Sequence, residues 1–277
     1  QLALLITQKF PSYQLGWKVL GAVFSQTDRK SEAVIAMQRA VQVSNQDFQG
    51  HYNLGVILHE IKRLEEAELS YRQAISLKSD YANAYGNLGV TLYDLGRLEE
   101  AEAAYREAIA LQSNYPNAHN NLGNTLKDRG KLEEARASYR QAISFKPDYA
   151  LAHSNLGNVL KELGELDEAE VSYRLAIDAN AYFSDARYNL GVLLFDKKQF
   201  SLAEQQFGLV DNTQSKLYSI RCLYELSEKT GFLKKLDDLI NDGAVNAVIG
   251  SLACCSEIRF GVKKLNPFCN DPLEYVV

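Results

Sequence analysis

The chain has 277 residues, 46% of them hydrophobic and 23% charged, with a formal net charge of −5. These values sit near the averages for soluble globular proteins and exclude a largely disordered chain or a low-complexity fibre. The acidic balance argues against a nucleic-acid partner, because phosphate binding needs a concentrated basic face.

No stretch approaches the roughly 18 apolar residues that span a bilayer. The opening QLALLITQKF lacks the basic leader of a secretory signal. Cys222, Cys254, Cys255 and Cys269 all fall in the last quarter and form no C-x-x-C pair. They read as free thiols of a reducing compartment. The expectation is a cytoplasmic protein with no membrane partner.

Residues 1–13 end in PSY, close to the PDY at 147–149. They read as the end of a truncated preceding repeat. From residue 14 a 34-residue period takes over and gives six units: 14–47, 48–81, 82–115, 116–149, 150–183 and 184–217. The seventh position is Leu and the eighth Gly in all six (Gly21, Gly55, Gly89, Gly123, Gly157, Gly191). The twentieth is always Ala, from Ala33 to Ala203. The twenty-fourth is Met37, then Tyr71, Tyr105, Tyr139 and Tyr173, then Phe207.

Each unit reads as two amphipathic helices with a 3.6-residue period, near 48–61 and 64–78 in the second unit. Gly96, Gly130 and Gly164 fall where the first helix should end, and glycine suits a left-handed C-cap. Small residues at positions eight and twenty let the paired helices approach, and the large residue at twenty-four fills the space beside them. One unit cannot bury its own apolar faces, so neighbours must stack. After 217 the columns fade, and 218–260 reads as a degenerate helical cap, with one more helix in AVNAVIGSLACCSEIRFG. Residues 261–277 contain two prolines and read as a linker to a missing domain.

These columns resemble the tetratricopeptide repeat, TPR, whose pattern places W, L-G, Y, A, F, A and P at these offsets. Trp17 and Pro147 stand at its Trp and Pro positions. The resemblance implies an all-α, right-handed superhelix (α-solenoid) of six helix pairs, with a partial N-terminal repeat and a helical C-terminal cap.

Catalysis finds little support. There is no G-x-S-x-G, P-loop or H-E-x-x-H. No catalytic residue, metal ligand or cofactor is expected, and this chain is expected not to be an enzyme. His51, His119 and His153 stand at the family's Trp position and read as packing between helices. The acidic pairs Glu65–Glu66, Glu99–Glu100, Glu133–Glu134 and Asp167–Glu168 fall in the first turn of each second helix, where the macrodipole favours them. Glu68–Arg72, Glu102–Arg106 and Glu170–Arg174 have i, i+4 spacing on a solvated face.

The sixth position asks for another explanation. It is Asn in five successive units: Asn53, Asn87, Asn121, Asn155 and Asn189. Asn is a mediocre helix former. Its amide offers a donor and an acceptor, which suit the backbone of an extended peptide whatever its side chains. Alternatively, each Asn bonds a neighbouring repeat and stiffens the array, and the two roles are compatible. Asn124 and Asn158 lie one turn further on, followed by Lys127, Asp128, Lys161 and Glu162. Together they describe a polar, mixed-charge groove, with the charged residues selecting peptide side chains.

The Asn column resembles the repeat arrays of O-linked N-acetylglucosamine transferases, whose Asn ladder holds the substrate peptide. It departs from the carboxylate clamp of chaperone-binding relatives, which needs basic residues at the second and sixth positions. The resemblance implies a scaffold that binds a peptide or partner protein along its concave face. The alternative is the substrate-recruiting region of a larger enzyme. The tail NPFCNDPLEYVV resembles a linker to an iron(II)/2-oxoglutarate oxygenase domain, with a glycosyltransferase or sulfotransferase as rivals. The apolar repeat ends suggest a weak homo-oligomer.

Overall fold

The computed structural model describes residues 2–241 and Phe260. Among the described residues every regular element is a helix. The chain forms two compact units, Gln1–Val159 and Leu160–Val277. The first holds α1 (Leu2–Lys9), α2 (Gln14–Gln26), α3 (Lys30–Val43), α4 (Phe48–Glu60), α5 (Leu64–Leu77), α6 (Ala82–Asp94), α7 (Leu98–Leu111), α8 (Pro116–Asp128), α9 (Leu132–Phe145) and α10 (Ala150–Glu162) up to Val159. The second holds α11 (Leu166–Ala179), α12 (Ser184–Asp196), α13 (Phe200–Phe207), α14 (Thr213–Glu225) and α15 (Lys229–Asn241).

In the first unit, α2–α3, α4–α5, α6–α7 and α8–α9 pack as antiparallel pairs, and each pair stacks on the next. Three sequence columns cause this. Ala33, Ala67, Ala101 and Ala135 are wholly buried. A Cβ placed on Gly55, Gly89 or Gly123 would stand 2.7, 2.7 and 2.6 Å from the rings of Tyr71, Tyr105 and Tyr139. Only hydrogen fits there, so ring and backbone interlock across these three pairs, and in α2–α3 the Met37 side chain takes the ring's place over Gly21. The turn between paired helices is left-handed at one fixed offset. Gly96 and Gly130 occupy it at φ +74° and +75°, but Asp28 and Lys62 hold the same conformation at +58° and +62°. A residue with a Cβ pays strain there that glycine avoids.

The second unit keeps this grammar and then changes it. Gly191 faces Phe207 at 2.7 Å, and Gly164, Lys198 and Ser227 are the left-handed turn residues. However, α13 has 8 residues against the 14 of α11. The next helix starts at Thr213, 29 residues after the start of α12 at Ser184. The boundary expected at 217 therefore falls inside α14, and the helical cap starts before 218. The cause is local: Asn212 caps α14, its side chain accepting from the Ser215 N–H at 2.8 Å.

α14 and α15 form a seventh hairpin in which volume has been redistributed. Counted from Thr213, Ile220 takes the glycine position, Phe232 the alanine position and Leu236 the aromatic position, all fully buried. With Leu217, Leu223 and Leu239 they make one core, against which Phe260 packs. The rest of the helix expected in AVNAVIGSLACCSEIRFG, the linker 261–277 and Cys254, Cys255 and Cys269 lie outside the described residues. α1 ends at Lys9, as far before α2 as Val43 is before α4.

Candidate functional site

The asparagine column runs along the first helices of successive pairs. Asn53 sits on α4, Asn87 on α6, Asn121 on α8 and Asn155 on α10, all half-buried. Two of these, Asn87 and Asn155, hydrogen-bond the neighbouring repeat. Asn87 Nδ2 donates to the Tyr52 hydroxyl at 3.0 Å, beside the Tyr71 phenol. Asn121, beside the Tyr105 phenol, accepts from Asn120 Nδ2 at 3.3 Å. Asn155 Nδ2 reaches Asn120 Oδ1 at 3.0 Å and Asn124 Oδ1 at 3.1 Å. Asn53 makes no such bond to the described residues. The inter-repeat role is thus visible for Asn87 and Asn155, and the position-twenty-four phenol joins it at Tyr139, which crosses Gly123 to donate to Asn124 at 2.7 Å. Sequence reasoning missed Asn120, which is fully buried.

These bonds leave spare capacity, since an amide offers two donor hydrogens and two acceptor lone pairs. Asn87 and Asn121 face one cavity of about 330 Å³, lined also by Gly86, Val90, Tyr105, Tyr115, Asn117, Ala118 and Tyr149. Tyr115 reaches this cavity because Gly86 makes room: a Cβ there would lie 2.9 Å from the phenol oxygen. Burial raises the Tyr115 and Tyr149 phenols above the ordinary tyrosine value. Both stay neutral at physiological pH. Tyr81, Tyr115, Tyr149 and Phe183 end four successive units, a signal that the likeness of PSY to PDY only hinted at.

Three of the four charged residues placed in the groove are engaged with other side chains. Asp128 accepts from the Tyr93 hydroxyl, and that bond first, then burial, pushes Tyr93 up to about 12. Lys127 Nζ lies 3.8 Å from Asp128. In the second unit, Lys161 pairs with Asp196 at 3.3 Å, and Glu162 is exposed. Asn189, on α12 of that unit, and Asn158, on α10 of the first, both have partners within the chain.

The histidines have a shared structural task. His51, His119 and His153 direct Nε2 to the carbonyls of Asn45, Ser113 and Pro147, each six residues back, at 3.1, 3.0 and 2.8 Å. Trp17 does the same to Pro11 at 2.8 Å, and Arg187 to Ala181. In five of the six units position four is thus an N–H donor that ties down the preceding loop, and Tyr85 in the third unit is the exception.

The acidic pairs lie in the first turns of α5, α7, α9 and α11. Glu68 pairs with Arg72 at 2.8 Å and with Arg97 of the next pair at 2.6 Å. Glu102, almost wholly buried, contacts Arg106, Arg129 and Lys131. Burial acts to raise its carboxyl, but these three cations outweigh that and leave it below the ordinary glutamate value. The acids therefore stitch repeats together across the second helices.

Helix pairs stacked on a glycine–aromatic lock, with polar first-helix faces, define a repeat solenoid. Family profiles then give the repeat its name. One, described as TPR repeat, matches residues 57–96, 91–128 and 123–164, and another, tetratricopeptide repeat, matches 150–183. Residues 57–183 thus match the tetratricopeptide repeat.

No curated protein matches the chain. Among solved structures, one from work on Pseudomonas aeruginosa pilF is 20% identical, with a TM-score of 0.63, over 73% of this chain and 95% of that one. The APC/C hetero-tetramer Cut9–Hcn1 is 17% identical, with a TM-score of 0.64, over 80% of this chain and 45% of that one. YrrB, described as a TPR protein with an unusual peptide-binding site, is 22% identical, with a TM-score of 0.55, over 70% and 97%. These likenesses establish the fold. No described helix is long and apolar enough to cross a membrane.

Proposed function

We propose that the chain is a non-catalytic scaffold whose first unit holds an extended peptide on Asn53, Asn87, Asn121 and Asn155. The observation that carries this reading is the cavity shared by Asn87 and Asn121, where amides in adjacent repeats face open space. Repeat spacing offers one amide per unit, which suits a polymer better than a compact metabolite. Asn124 supports the row from the same helix as Asn121, and Lys127 and Asp128 flank it. In the second unit, Asn189, Lys161 and Glu162 extend the same chemistry, with Asn158 preceding them on α10. Recruitment of a substrate to a larger enzyme uses the same surface.

A titration of the Asn87→Ala/Asn121→Ala double variant with a mixed pool of synthetic peptides tests this. Each amide–backbone bond is worth about 0.5–1.5 kcal/mol net, so a folded double variant should bind roughly ten- to a hundred-fold more weakly. Unchanged binding by the folded variant would make the ladder purely structural.

A weak homo-oligomer is proposed through the apolar face of α1 and α2, where Leu4, Leu15, Val19 and Val23 are exposed around an open cavity of about 670 Å³. Sedimentation should show concentration-dependent association that Leu4→Glu abolishes. A strict monomer at high concentration would refute it.

A further inference from the structure

We propose that the cavity between α6 and α8 is a side-chain pocket selective for uncharged hydrogen-bonding residues: Asn, Gln, Ser or Thr of the bound peptide. This rests on the peptide-binding reading above and adds the chemistry of one subsite.

The lining decides the class. Three asparagines (Asn87, Asn117, Asn121) and three tyrosines (Tyr105, Tyr115, Tyr149) supply its polar groups, and no Asp, Glu, Lys, Arg or His lines it. A charged side chain would lose its water and meet no countercharge among the lining residues. The tyrosines cannot provide one, since burial keeps their phenols protonated.

An aliphatic side chain fails for the opposite reason. The Tyr115 and Tyr149 hydroxyls and the Asn117 amide make no hydrogen bond to the described residues, so in the free protein their partner has to be water. A methyl group would displace that water and return nothing, which discriminates strongly against ligands that lack the polar group. A carboxamide or hydroxyl both donates and accepts, as do Asn117 and the two phenols. The Tyr115 ring adds flat surface beside it, while Lys146 Nζ lies 4.9 Å over the Tyr149 ring, outside the lining residues. Gly86 belongs to the device, since any side chain there would collide with Tyr115 and reshape the pocket.

The test passes a positional-scanning library of acetylated, amidated heptapeptides over the immobilised full chain. One library position should retain Asn, Gln, Ser and Thr at least about tenfold over Asp, Glu, Lys and Arg. Asn117 is exposed at the rim of the pocket. Asn117→Lys should therefore leave the fold intact and move that single position to Asp and Glu, leaving the others unchanged. Retained peptides that are sensitive to Asn87→Ala/Asn121→Ala but show no such position would overturn the pocket and leave the peptide-binding reading standing. A profile unaltered by Asn117→Lys would do the same. If no peptide is retained at all, both readings fall.

Discussion

Asn155 on α10 donates to Asn124 on α8 at 3.1 Å, and the Tyr139 hydroxyl donates to the same oxygen at 2.7 Å. One amide thereby joins the ring that locks its own pair to the first helix of the next. The asparagines consequently serve stability and are available to a ligand, and the two roles separate by position.

Asn155→Ala leaves Asn120 and Asn124 each short of a donor and should destabilise the protein by about 1–2 kcal/mol. Asn53→Ala removes no bond to the described residues and should fall within about 0.5 kcal/mol. Urea unfolding of both variants checks this. Equal losses would show that the amides are interchangeable.

The glycine–aromatic lock makes a steeper prediction. Gly123→Leu drives a side chain into the Tyr139 ring, which a Cβ alone would approach to 2.6 Å. Overpacking of this kind costs about 1–3 kcal/mol or more. A melting temperature equal to that of the parent would contradict the interlock.

The turn residues predict a gain. Lys198 sits at φ +58°, where Gly164 sits at +82° in the preceding turn. Lys198→Gly should stabilise by several tenths to about 1 kcal/mol, and Gly130→Ala should destabilise by about 1 kcal/mol. Denaturant midpoints shifting the other way would show that backbone strain is not what distinguishes these sites.

Glu102 predicts a pH dependence. Its carboxyl is held below the ordinary glutamate value by Lys131, Arg106 and Arg129 against the opposing effect of burial. A lowered folded value means the unfolded chain takes up the proton first. The stabilisation is therefore complete above the unfolded value of about 4.3 and lost as pH falls through the folded one. Glu102→Gln should cost about 1–3 kcal/mol at pH 7 and flatten the acid limb of the stability curve. Parallel curves for parent and variant would sink this assignment.

The repeat register was legible because it rests on recurring contacts: a glycine under a large side chain and an alanine between helices. The seventh hairpin was not, because Ile220, Phe232 and Leu236 fill the same space with the large and small positions exchanged. The shortened α13 escaped for a related reason. Val210 keeps an apolar residue at the expected count, and only the Asn212 cap reveals that the next helix starts early. At the site, the Asn column stood out as a repeated oddity. Its tyrosine partners at the unit ends were hidden in the turn between pairs, where residue identity alone does not say which way a ring points.

The central claim is that the amides of adjacent repeats hold a peptide backbone in the first unit. Side-chain amide NMR on the ¹⁵N-labelled full chain reads this directly, with each signal assigned by single Asn→Ala variants. On titration with a mixed pool of uncharged peptides, the Asn87 and Asn121 Nδ2 signals should shift saturably. Asn117 should shift with them, and the buried Asn120 should stay nearly still. Saturable binding in which Asn87 and Asn121 do not move would place the peptide elsewhere and contradict the ladder.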